Sequence, residues 1–171
     1  MSTQHQRIVV MGVSAAGKSS VAAEISRLTG IPWADADDLH PAANVAKMVA
    51  EVPLDDDDRR PWLEAVGRAL EDAPDPGLVM ACSALRRSYR DRIRALAPSA
   101  VFVHLTGTPQ LLAARAAARK DHFMPSSLLD SQLATLEPLG GDETGIAVDV
   151  TAPVAQIASA AVDALHALDL V

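Results

Sequence analysis

One segment restricts the possible folds more than any other. Residues 7–13, RIVVMGV, form an apolar run, and GVSAAGKSS follows at 12–20. Residues 18–29 then place Val21, Ile25 and Leu28 on one helical face before Gly30 and Pro32 stop it. A buried strand that feeds a glycine loop and then a helix belongs to a parallel sheet, because parallel neighbours need a crossover helix. The loop satisfies the pattern G-x-x-x-x-G-K-[ST] at every fixed position. Such a loop collects backbone N–H groups at a helix N-terminus, where they suit an anion. Lys18 is expected to reach the terminal phosphates of a nucleotide, and the Ser19 hydroxyl to ligate Mg²⁺. Gly12, Val13, Ser14, Ala15, Ala16, Gly17, Lys18, Ser19 and Ser20 are therefore the expected nucleotide-binding residues. A left-handed backbone would cost an alanine on the order of 1 kcal/mol, so Ala15 and Ala16 are expected to avoid it.

The rest of the chain repeats strand-then-helix units. Strands are predicted over 33–37, 78–82, 101–105 and 146–150, and helices over 41–50, 59–71, 86–96, 110–119, 128–136 and 154–168. Asp58 is the expected N-cap of the helix at 59–71, with Leu63, Val66 and Leu70 inward; Tyr89, Ile93 and Leu96 form the next core stripe. These elements predict one doubly wound α/β domain with its ligand crevice at the carboxyl ends of the strands. At 171 residues the chain can bury a core without disulfides, and the lone Cys82 cannot form one within the chain. A net charge of -7 argues against a nucleic-acid binder, which needs a basic face. The apolar run at 8–13 is too short for a secretory signal, and no run reaches the length of a membrane span. The expectation is a soluble, cytoplasmic protein with no membrane partner.

The acceptor side is written in acids and arginines. In DADDLHP, Asp35 and Asp37 lie two apart, which on a strand puts both on one face beside the loop. Asp37 is the expected base for a substrate hydroxyl and Asp35 the support for the metal, while Asp38 faces solvent or caps a helix. In PLDDDDRRPWL, residues Asp55 to Asp57 read as a solvated turn, Arg59 as a group presented to an anionic acceptor, and Trp62 as core or crevice wall. In CSALRRSYRDRIR, Arg86 and Arg90 stand nearest the strand end and can grip a carboxylate, whereas Arg92 and Arg94 read as a solvated basic face. An i,i+4 pair of Arg87 with Asp91 is also expected. The polar stretch ARAAARKDHFMPSS is expected to act as a lid over about 115–136, with Arg115 and Arg119 meeting the nucleotide phosphates and His122 and Phe123 as lid contacts.

Taken in order, GVSAAGKSS, DADDLHP, PLDDDDRRPWL, CSALRRSYRDRIR, ARKDHFMPSSLLDSQLATLEPL and DETGIAVDV resemble the segments of the small gluconokinases across nearly the whole chain. The resemblance implies a three-layer P-loop kinase fold similar to shikimate kinases: a five-stranded parallel sheet flanked by helices, with a mobile lid. It implies Mg·ATP as phosphoryl donor, D-gluconate phosphorylated on its terminal hydroxyl to 6-phosphogluconate, a place in the pentose phosphate route, and a homodimer. Carried over by position, Asp37 activates the acceptor, His40, Arg59 and Arg86 fall in the acceptor segments, and Arg115, Arg119 and His122 in the lid. Catalysis would then rest on Asp37, Lys18 and Arg119. Ala15, Ala36 and Glu51 stand where the family carries glycine. Two other readings remain open: a related small-acid or sugar-acid kinase, and a non-catalytic ATP-gated binding module.

Overall fold

The computed structural model describes residues 6–119 and 126–171. Its centre is one parallel sheet in the order β2-β3-β1-β4-β5, built from β1 (Gln6–Met11), β2 (Trp33–Asp35), β3 (Gly77–Ala81), β4 (Val101–Thr106) and β5 (Gly145–Asp149). The helices are α1 (Lys18–Thr29), α2 (Ala42–Val49), α3 (Asp56–Glu71), α4 (Arg87–Leu96), α5 (Pro109–Ala118), α6 (Ser126–Thr135) and α7 (Val154–Ala167). The central strands are apolar at nearly every position because both faces are covered. Ile8 and Val10 face one helical layer with Val21, Ile25 and Ile157, and Val9 and Met11 face the other with Leu63, Val66 and Ile93. This is the five-stranded, helix-flanked architecture expected.

Register sets the crevice. Val10 pairs with Ala81, and Ala81 with Asp35, so the carboxyl ends of β1, β3 and β2 finish side by side. Gly12 N–H donates to Ser83 O at 3.3 Å, tying the start of the glycine loop to the segment leaving β3.

Several boundaries differ from expectation for local reasons. Strand β2 stops at Asp35 because the Asp35 side chain accepts the Asp37 N–H at 2.9 Å and starts a 3-10 turn over Ala36–Leu39. Helix α3 starts at Asp56, and its N-cap is Asp55, not Asp58. Asp55 accepts the Asp58 N–H at 2.7 Å while the Asp58 carboxylate accepts the Asp55 N–H at 3.0 Å, a reciprocal capping box. Arg86 is the N-cap residue of α4 and not part of it. Leu28, expected inward, is exposed. At the three positions where alanine or glutamate replaces glycine, only Glu51 adopts a left-handed backbone, with φ 59.

Candidate active site

The glycine loop meets its steric demands at two glycines. Gly12 has φ 150, and a Cβ there would meet Leu105 O at 3.0 Å and the Ala16 Cβ at 3.2 Å. Gly17 has φ 88 and turns the chain into α1. Between them Ser14–Ala16 form a 3-10 turn, and neither alanine is among the positive-φ residues, so the loop avoids the strain that alanine would otherwise suffer. Lys18 Nζ donates to Val13 O at 3.1 Å, folding the side chain back over the loop. Burial lowers the Lys18 pKa; Asp37, Cys82 and Asp35 pull it up, and the Arg119 guanidinium pushes it down again. Lys18, Asp35, Asp37 and Arg119 thus share one electrostatic neighbourhood. Cys82 lies under it, its thiol pushed up to about 12 by burial and so kept protonated.

The two carboxylates meet beside the loop, though not by strand alternation. Asp35 Oδ2 accepts the Ser19 hydroxyl at 2.7 Å while its Oδ1 caps the turn that carries Asp37. A serine hydroxyl and a carboxylate oxygen in contact beside a phosphate loop are hard oxygen donors of the kind Mg²⁺ accepts. Asp37 is reached by solvent, yet the crevice walls and the Asp35 charge raise its pKa against the pull of Lys18 and His40. His40 stacks on Trp62 with ring centroids 4.3 Å apart and planes 13° from parallel. Burial lowers the His40 pKa; Asp37 opposes that shift and Arg59 reinforces it.

Beyond His40 lies a basic cluster. Arg59 Nη1 donates to Tyr89 Oη at 3.2 Å and to Asp56 Oδ1 at 3.3 Å, and its guanidinium lies 5.5 Å from the Tyr89 ring centre. Tyr89 Oη donates to Asp56 Oδ1 at 2.7 Å. That hydrogen bond, with the charges of Arg86 and Arg59, holds Asp56 below the usual carboxylate range. Arg59 and Arg86 are thus both near Asp56, whose carboxylate offsets part of their charge.

Arg90 is not in the crevice, and that expectation is corrected. Its side chain is 0% exposed, and Nε and Nη2 grip Glu143 at 2.8 and 3.0 Å. Arg94 reaches the same carboxylate at 2.7 Å and lies over the Phe102 ring, so it is no solvated face residue either. The Arg87–Asp91 contact forms at 3.8 Å, but Arg87 holds Asp142 more closely, at 2.6 and 2.7 Å. Arg115 is close enough to Asp149 to lower its pKa, after the hydrogen bonds from Thr151. His122, Lys120 and Phe123 lie outside the described residues.

Three contributors were not singled out from sequence. Tyr89 read as core, Asp56 as turn, and Gln132 carried no assignment. Gln132 Oε1 accepts both the Ser14 N–H at 2.7 Å and the Ser14 hydroxyl at 2.9 Å, fastening α6 to the glycine loop. Only the motif's polarity hinted at it, since the pairing spans more than a hundred residues of chain.

A parallel sheet with a phosphate loop after its middle strand places the chain in the class of P-loop small-molecule kinases. The family model for shikimate kinase matches residues 14–138. A probable gluconokinase of Xenopus tropicalis is 40% identical over 169 residues, covering 89% of each chain. The thermoresistant gluconokinase of Escherichia coli (strain K12) is 37% identical, covering 94% of each. The crystal structure of a gluconokinase from Sinorhizobium meliloti 1021 superposes with a TM-score of 0.87 at 48% identity, covering 95% of this chain and 93% of that one. The chain belongs to the gluconokinase family, within the shikimate kinase-like group.

Proposed function

We propose that the chain transfers the γ-phosphate of ATP to the terminal hydroxyl of D-gluconate, giving 6-phospho-D-gluconate and ADP. The observation that carries this is that Asp37 is close enough to Lys18 and to His40 to feel both charges, and Arg59 close enough to His40 to act on it. In this reading a proton acceptor has a phosphate-binding lysine and a cluster able to hold a carboxylate within electrostatic reach. The relatives' names support the same acceptor.

In this reading Gly12 through Ser20 and Arg115 hold the nucleotide, and Lys18 and Arg119 neutralise charge that builds on the transferring phosphoryl group. Arg59 and Arg86 bind the gluconate carboxylate, and His40 contacts its hydroxyls. Asp37 accepts the hydroxyl proton as the alcohol oxygen bonds to the γ-phosphorus and the bond to the β-phosphate oxygen breaks. Ser19 and Asp35 would hold Mg²⁺, which supplies charge neutralisation at the phosphates when bound. Residues 115–136 serve as the cover that keeps water from the γ-phosphate, and His122 belongs to it. Arg90 has no part in the acceptor site. A single domain, working in the cytoplasm as a homodimer in the pentose phosphate route, completes the reading. Among the described residues no helix is long and apolar enough to cross a membrane.

The test is ADP release from Mg·ATP by purified protein. Gluconate should trigger it and shikimate should not; release with shikimate and none with gluconate would refute the assignment. Asp37→Asn should retain nucleotide binding while turnover falls roughly 10²- to 10⁴-fold, the usual contribution of a positioned base. A binding module would show no such loss.

A further inference from the structure

Asn44 is a polar residue that the reaction above does not use, yet it is only 3% exposed. It lies in the first turn of α2, and its Nδ2 is 2.9 Å from Asp58 O and 3.2 Å from His40 Nδ1. A backbone carbonyl can only accept, so the Asp58 contact identifies that atom as the amide nitrogen and removes the usual ambiguity between its two ends. The amide carries two hydrogens. One goes to Asp58 O, and the other faces His40 Nδ1, which must therefore offer a lone pair. The imidazole proton is then confined to Nε2. The plane of the ring is held as well, since it stacks on Trp62, whose Nε1 donates to Ala36 O at 2.6 Å.

From this geometry we infer that Asn44 is a positioning residue that holds His40 as its neutral Nε2–H tautomer, so that the ring meets the acceptor as a hydrogen-bond donor and not as a base. The consequence is a division of labour. His40 and Asp37 both stand beside the place assigned to the reacting hydroxyl, and either type of group can take a proton. With the Nδ1 lone pair engaged and Nε2 already protonated, the imidazole has none to give, and the hydroxyl proton goes to the Asp37 carboxylate alone. The charged groups facing His40 are Asp37, from the turn after β2, and Arg59, from α3. Asp37 favours the imidazolium and Arg59 opposes it, so neither fixes the tautomer; Asn44 does. A donor at Nε2 suits an oxygen lone pair, which the hydroxyls and carboxylate of a sugar acid supply, and this last step rests on the kinase reading above.

The tautomer is measured without turnover. In ligand-free, full-length protein labelled with ¹⁵N-histidine at pH 8, two-bond ¹⁵N–¹H correlations should show His40 with a pyridine-type Nδ1 and a pyrrole-type Nε2. His40→Gln identifies the signal among the five histidines. A proton on Nδ1, or two nitrogens averaged as in free imidazole, overturns the inference whatever the substrate proves to be. Asn44→Asp keeps the side chain's size but turns its donor into an acceptor. It should raise the His40 pKa by about one unit, and raise KM for gluconate roughly tenfold with KM for ATP unchanged. Asn44→Leu should let the two tautomers average. If the aspartate variant leaves His40 titrating as before, Asn44 only packs and the inference fails. If the tautomer signature holds while gluconate gives no turnover, the substrate assignment fails and the role of Asn44 stands.

Discussion

In the proposed mechanism Asp37 takes a proton near neutral pH, a task that a raised pKa favours, and its pKa is raised for two reasons. The crevice walls disfavour its charge, and Asp35 sits beside it with the same sign. In that mechanism turnover fades as pH falls through the raised Asp37 pKa, so the acid limb of kcat/KM should lie above the usual carboxylate range. Asparagine at position 35 removes the like charge, and the acid limb should move to lower pH even as the contact to Ser19 weakens. An unmoved limb would show that Asp37 is not the titrating group. The same shift has a stability consequence with a defined sign. A carboxyl whose folded pKa is raised binds its proton more tightly when folded, so stability falls as pH rises from the unfolded to the folded value. At neutral pH Asp37→Asn should unfold at a higher denaturant concentration than the wild type while losing turnover, the opposite of what a merely structural residue would do.

At the scale of elements, the Arg90–Glu143–Arg94 triad joins α4 to the segment that enters β5. Glu143 is 1% exposed at its side chain and also accepts the Gly140 N–H at 2.8 Å. Burial alone would raise its pKa, but the hydrogen bonds from Arg90, Gly140 and Arg94 outweigh that and bring it to about 2. The contribution is therefore complete above the unfolded pKa near 4.5 and disappears as pH falls toward 2. Glu143→Gln strands the buried Arg90 charge, which should cost about 3–5 kcal/mol in urea unfolding at pH 7 and flatten the acid dependence of stability. A loss under about 1 kcal/mol would mean that Arg90 finds solvent or another partner. This triad also marks the limit of what was legible in the sequence. The alternation of strands and helices could be read because both faces of the sheet are covered and each strand is a short apolar run. The glycine loop could be read because its demands are local. Arg90 misled because helical spacing puts it one turn from Arg86, and nothing local announces a carboxylate more than fifty residues away. The start of α3 was obscured for a related reason: four aspartates look like a solvated turn, whereas three of them supply the first helical turn, where acids are favoured by the helix dipole. Asp35 and Asp37 were paired correctly by the wrong geometry, a turn in place of strand alternation.

For the molecule as a whole, the net charge of -7 opposes the approach of ATP and gluconate, both anions. Their binding energy must arise from cations within about a Debye length, roughly 10 Å at 0.1 M salt, such as Lys18 at the glycine loop. In the proposed assignment Lys18 serves the nucleotide and Arg59 the acceptor, so the two ligands should stabilise the fold through separable contacts. Mass action gives about 2.7 kcal/mol at a ligand concentration a hundred times Kd. For a chain of this size that corresponds to a rise in Tm of about 5–10 °C. Lys18→Met keeps the side chain's bulk, removes its charge, and should abolish most of the rise caused by Mg·ATP while leaving that caused by gluconate. Arg59→Met should do the reverse. Thermal scans of the two variants with each ligand separate the sites without relying on turnover. If either variant loses both shifts together, the sites are one electrostatic unit and the assignment of separate cations is wrong. If each loses only its own, the crevice is a nucleotide half and an acid half meeting at Asp37.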